Sequence, residues 1–194
     1  MRASATPHVI PLYITSILFE WAVLAFIIWG VRRHGGSLEA VLGPSWTSAR
    51  RFFKDLGIAV AFWFVSGLLL VAFSRLLRAD TGAQVQFLLP RTTVEVAVWI
   101  LVAITAGICE EALFRGYLQR QFIAFTHSVP LGLILSAVVF GAGHAYQGLR
   151  SATLIGIYGL MFGLLAERRK SVRPGMMAHA WQDTLSGIAL RFRQ

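Results

Sequence analysis

Cysteine is almost absent from this sequence of 194 residues. Cys109 stands alone, so no disulfide can close within the chain, and a disulfide-stapled scaffold or a C-x-x-C redox centre is excluded. Charge is scarce as well: 14% of residues are charged, whereas an ordinary soluble domain carries about 25%. Acid is scarcer still, with nine Asp and Glu against 18 Lys and Arg, for a formal charge of +9. There are no internal repeats and no low-complexity tracts, which excludes a solenoid.

What fills the space is apolar. Hydrophobic residues make up 56% of the chain and the mean hydropathy is +0.65, more apolar surface than a soluble domain of this length can bury. The solvent is therefore lipid for much of the surface. Apolar runs lie at about Val9 to Val31, Leu56 to Leu77, Val94 to Cys109, Pro130 to Tyr146, Ala152 to Ala166 and Gly175 to Leu190. The expected fold is all-α, a polytopic transmembrane helical bundle of about six spans, each near the ~20 residues a bilayer requires. Residues 1–93 read as an N-terminal hairpin with its loops, and 94–194 as the core that carries the polar motifs. The N-terminal run is longer than a signal peptide and is read as a retained span.

The basic residues fall between the runs rather than in a groove-binding cluster, which argues against nucleic acid as a partner. Arg32, Arg33, Arg50, Arg51 and Lys54 crowd the first loop, and Arg168, Arg169, Lys170 and Arg173 a later one. With the first loop cytoplasmic, eleven basic residues lie inside and seven outside, and both termini face out. The longest outer loop is then Arg78 to Arg91, containing Asp80, Thr81 and Gly82.

A carboxylate in hydrocarbon costs about 3 kcal/mol on insertion scales, so each one inside a run requires a reason. The third run does not stop at Glu110 and Glu111. Helical spacing continues through Ala112, Leu113, Tyr117, Leu118 and Phe122, so one long helix is expected from about Val94 to Thr126. Ser128 to Pro130 then supplies a turn and a helix start. Glu110 and His144 stand equally far, 17 residues, on either side of residue 127, so a hairpin there puts them at one depth. Adjacent helical side chains diverge by about 100°, which gives Glu110 and Glu111 different tasks. Glu111 and Arg115 suit an i,i+4 ion pair, leaving Glu110 free. His179 and Asp183 share a helix face, where the carboxylate can orient the imidazole.

A carboxylate with two imidazoles can take a proton from water and return it to a departing amine. The same residues could bind zinc, although the local H-E-x-x-H signature is absent. Glu20 reads as a structural group in preference to one that supports the site from behind its first residues, and it could also partner an arginine elsewhere. Cys109 reads as a small hydrophobe, and His8, His34 and His127 as solvated surface residues. The glycines 132, 141, 143, 156, 159 and 163 read as close-packing positions, with Gly141 and Gly143 also leaving room for substrate.

Glu110-Glu111-Ala112-Leu113-Phe114-Arg115, then Phe140-Gly141-Ala142-Gly143-His144, then His179-Ala180-Trp181-Gln182-Asp183 resemble the E-E-x-x-x-R, F-x-x-x-H and H-x-x-x-N/D motifs of the CAAX-type intramembrane endopeptidases. This family is also called CPBP or Abi. The resemblance runs from about Ile104 to Gly187 and takes in Phe162 to Arg169. It implies a glutamic-type membrane protease in which Glu110 with His144 activates water, His179 and Asp183 complete the site, and Glu111, Arg115 and Phe140 support it. Where the family often has Asn, this chain has Asp183.

The resemblance implies no cofactor, a membrane-embedded or lipidated peptide as substrate, and a multi-pass protein of a bacterial or archaeal cytoplasmic membrane. CAAX processing, peptide maturation and removal of C-terminal sorting tags all occur among such proteins. Beside the protease stand a non-catalytic immunity or scaffold protein that uses the polar cluster for cohesion, a zinc-dependent membrane protease, and a transporter with a proton relay.

Overall fold

A computed structural model describes residues 9–79 and 83–191. His8 and the expected loop residues Asp80, Thr81 and Gly82 lie outside the described residues. Among the described residues there is no strand, and the chain is a helical membrane bundle. Its α-helices are α1 (Ile10–Arg33), α2 (Leu38–Leu42), α3 (Ala49–Leu77), α4 (Thr93–Glu110), α5 (Gln119–Thr126), α6 (Val129–Gly143), α7 (Leu149–Arg169) and α8 (Arg173–Arg191).

Local chemistry accounts for the boundaries. Ser48 caps α3 by accepting from Arg51 N, and Ser128 caps α6 by accepting from Leu131 N. Thr92 and Glu95 form a reciprocal capping box at the start of α4. The expected long third helix is continuous from Thr93 to Thr126, but its middle, Glu111–Leu118, is π-helical. Sequence periodicity gave no sign of that change, because a π segment differs from an α-helix only in hydrogen-bond register. The turn at residue 127 lies where expected, with His127 in the left-handed region at φ 51.

Four helices are long and apolar enough to cross a membrane: Ile10–Arg33, Ala49–Leu77, Thr93–Thr126 and Leu149–Arg169. The two other expected spans differ from these. The α6 helix has 15 residues, about 22 Å at 1.5 Å each, and it stops short of the full apolar thickness at His144. In the 19-residue α8, His179, Gln182 and Asp183 dilute the apolar character.

The bundle turns its apolar side outward. Leu18, Phe19, Phe26, Phe64 and Leu68 of α1 and α3 are exposed, while Glu111, Arg115, Gln119 and His179 are buried. In water such an arrangement would leave large apolar faces uncovered, whereas in lipid those faces are solvated and the polar groups find partners inside. The protein is an integral membrane protein on this basis.

Packing sets the relations the site depends on. Phe114 and Phe140, each 13 residues from His127, meet at 4.9 Å between ring centroids, as the hairpin requires. The α4 helix lies against both α1 and α8, and α6 against α7. A Cβ on Gly107 would come within 2.7 Å of Met176 O and 2.8 Å of Ala180 N, so the bare glycine lets α4 and α8 approach closely beside His179.

Candidate active site

The core of the site is a buried ion pair. Arg115 donates from Nη1 to Glu111 Oε1 at 2.9 Å and from Nη2 to the Gly159 carbonyl at 3.1 Å, and both side chains are about 1% exposed. The guanidinium lies over Phe140 at 4.2 Å and Phe162 at 5.3 Å from the ring centroids. This is the i,i+4 pair expected from spacing, here embedded between aromatic faces that exclude water.

His179 then ties the pair to the second helix. Its Nδ1 is 3.0 Å from Glu111 Oε1, its Nε2 is 3.5 Å from Asp183 Oδ2, and Nε2 also lies 3.8 Å from Glu110 Oε2. Both ring nitrogens therefore face carboxylates, which can only accept when ionised. Phe162 tilts against the imidazole at 5.3 Å and Phe140 meets it edge-on at 6.3 Å.

The expected separation of tasks between the adjacent glutamates takes a different form. Glu110 and Glu111 both address His179, one from each ring nitrogen, because the flat ring stands between them at the junction where α4 gives way to the π segment. What separates them is access. The Glu111 side chain is 1% exposed, whereas Glu110 is 21% exposed. Glu111 Oε2 is buried without a hydrogen-bond partner among the described residues.

His144 ends α6 as its C-cap residue and is half-buried. Its Nδ1 is 2.9 Å from the Phe140 carbonyl, which can only accept, so Nδ1 carries the proton and Nε2 is left to act. Phe140 also tilts against it, at 4.9 Å and 56°. The Glu110 carboxylate is within electrostatic reach of His144. The structure thus brings Glu110, Glu111, Arg115, Phe140, His144, His179 and Asp183 together in one region.

One neighbour, Tyr146, is not singled out by the sequence for this region, whereas Glu20 is weighed there as a supporting group. Tyr146, in the short 3₁₀ turn after α6, stacks on His144 at 6.2 Å and 28° and is in electrostatic reach of Glu110 and Asp183. Only its position, two residues after His144, could have pointed to it. Glu20 of α1 is in reach of Glu110, His179 and Asp183, and the arginine expected for it is not among those charges. Cys109 is buried with Leu24, Val41 and Ala112, as expected for a small hydrophobe. His34 and His127 are exposed.

Among the described residues, no group of three or more His, Cys, Asp and Glu has a metal-holding arrangement. The arrangement, a partly open carboxylate, an imidazole with one nitrogen free and a second imidazole held on both sides by acids, has the chemical means for proton transfer.

No curated protein and no solved structure matches the chain. Residues 92–185, spanning α4 to most of α8 and including every residue of the cluster except Glu20, match the family described as type II CAAX prenyl endopeptidase Rce1-like. That segment, just under half of the chain, is similar to the Rce1-like CAAX prenyl endopeptidases, a family of proteases.

Proposed function

We propose that the protein is an intramembrane endopeptidase in which Glu110 is the general base, His144 and His179 hold the water or the developing oxyanion, and Asp183 orients His179. The observation that carries this reading is the difference in access between two adjacent glutamates at one imidazole. Glu111 is sealed by Arg115, whereas the Glu110 side chain is 21% exposed, which leaves it the one of the two able to meet a water.

In the reaction, Glu110 takes a proton from water as the water oxygen bonds to the peptide carbonyl carbon and the carbonyl electron pair moves onto its oxygen. The Nε2–H of His179 meets that oxygen, while His144, whose Nδ1 proton is held by the Phe140 carbonyl, accepts from the water at Nε2. The C–N bond then breaks as the proton on Glu110 passes to the departing amine. Aromatic walls from Phe140 and Phe162 keep bulk water away and strengthen each of these interactions.

Residues 94–194 form the hydrolytic core in this reading, with the hairpin of residues 1–93 packed on it. The substrate is a membrane-embedded or lipidated peptide, in keeping with the prenylated proteins for which the family is named. The membrane is the cytoplasmic membrane of a bacterium or archaeon. No metal takes part in the steps above.

The test is cleavage of prenylated and transmembrane peptides by purified protein, comparing wild type, Glu110→Ala and Glu111→Ala with and without a chelator. Loss of cleavage in Glu110→Ala together with resistance to chelation is expected. Cleavage surviving Glu110→Ala would remove Glu110 as base, and loss on chelation would replace the scheme with zinc hydrolysis.

A further inference from the structure

Of the residues given parts in the reaction, Glu110, His179 and Asp183 stand within helices, and His144 alone lies beyond the end of one. It follows the last residue of α6, with φ −101 and ψ 14, and the chain passes at once into the 3₁₀ turn Ala145–Gln147. A Cβ on the preceding Gly143 would meet nothing within 4 Å, so nothing packs on the helix end from that side. The bond from Nδ1 to the Phe140 carbonyl fixes the tautomer of His144. An N–H···O bond keeps much of its strength over a broad range of angles, however, and by itself leaves the ring room to swing.

Ring contacts supply the missing restraint. Phe140 meets the imidazole at 4.9 Å and 56°, too tilted to cover its face. Tyr146 lies closer to parallel, at 28° and 6.2 Å between centroids, within the range of offset-stacked aromatic pairs. The phenol is itself tethered, because Gln147 Nε2 donates to its oxygen at 3.1 Å. The turn that carries Tyr146 and Gln147 packs on α7, which in turn packs along α6. Tyr146 is 60% exposed and so is not a core residue, and among the described residues its one ring contact is with His144.

We infer that Tyr146 is a positioning residue of the hydrolytic site: its ring, laid on the imidazole, holds His144 in the orientation that keeps Nε2 on the water. No bond at Tyr146 is made or broken, and it acts through His144 alone. This rests on His144 accepting from the water in the reaction proposed above.

The experiment is steady-state cleavage of a prenylated peptide by the purified full-length protein in nanodiscs, with a thermal melt of each sample. The variants are Tyr146→Leu, Tyr146→Gln, Tyr146→Phe, His144→Ala, and Tyr146→Leu combined with His144→Ala. Leu and Gln both remove the ring, one apolar and one polar, so a folding defect in either leaves the other to read. At this exposed position both are expected to melt with wild type. Each should lose about tenfold in kcat with KM within about twofold, while Tyr146→Phe, which keeps the ring, should stay within about threefold of wild type. In the double variant the Tyr146 change should cost nothing beyond His144→Ala, because the group it holds has gone.

Wild-type kcat in the ring-less variants would overturn the inference. So would a raised KM at unchanged kcat, which would make Tyr146 a substrate contact, or losses that multiply in the double variant, which would make the two residues independent. If His144→Ala cleaves at the wild-type rate, His144 leaves the reaction and the part of Tyr146 falls with it, while the comparison of Glu110→Ala with Glu111→Ala still decides the base.

Discussion

At the scale of single residues, burial ranks the acids by consequence. Glu111 and Arg115 form a dry pair, so removing one partner strands the other charge, at a cost of about 3–5 kcal/mol. Glu111→Gln and Arg115→Met are expected to show that loss as earlier thermal unfolding in detergent, before any activity is considered. Glu110 is partly open and unmatched by a cation of its own, so Glu110→Gln is expected to fold normally and lose about 10²–10⁴-fold in cleavage rate. A Glu110→Gln protein that unfolds like the Glu111 variant would make the two glutamates equivalent and defeat the distinction. Spacing alone separates this pair only as far as the Glu111–Arg115 contact. It could not reveal that His179 lies between both acids, because that depends on how α8 approaches α4.

At the scale of elements, the glycines divide by what they touch. Gly107 lies against the α8 backbone and Gly141 against the Ala152 carbonyl of α7, whereas a Cβ on Gly143 would meet nothing within 4 Å. Gly107→Val is expected to cost about 1–3 kcal/mol by forcing α4 from α8, and to reduce cleavage further because His179 moves with α8. Gly143→Leu should fold, so any fall in its cleavage rate reads directly on the space before His144. Thermal melts paired with activity assays separate the two. Close packing was legible in the sequence as an excess of small residues, but which glycine meets which helix was not.

The α2 turn gives a pH-dependent element outside the membrane spans. Ser45 donates from its hydroxyl and its backbone N–H to Glu39 Oε1, at 2.7 and 3.1 Å, and these bonds hold the Glu39 carboxyl below its ordinary value. A group held low in this way contributes stability above its unfolded-state value and loses it as pH falls through the folded one. The protection factor of the Ser45 amide, its exchange rate referred to that of an unstructured chain at the same pH, should therefore fall on acidification, and Glu39→Gln should abolish that dependence.

At the scale of the whole molecule, orientation follows from charge. The basic residues at 32, 33, 50, 51, 54 and 168–170 gather at one side of the bundle's loops, and a reporter fused after Gln194 is expected on the opposite, outer side. A cytoplasmic reporter signal would invert the molecule and move the site's depth relative to each leaflet. The inward clustering of charge also means that no span after α3 is independent. Isolating α8 would expose His179 and Asp183 to lipid, so the cluster and the bundle are expected to be lost together in truncations.

The sequence by itself determined that the chain lives in lipid, that Thr93–Thr126 is one long helix, that the hairpin turns at residue 127, and that the family resemblance lies in the second half of the chain. These follow from local quantities: apolar run length, helical period, turn chemistry and residue spacing. Tertiary structure alone decided that α6 ends early at His144, that the long helix turns π at Glu111, and that His179 is shared among three carboxylates. Each of these depends on how closely two helices pack and in what register. Those distances are set by side chains far apart in the chain, and no local pattern encodes them.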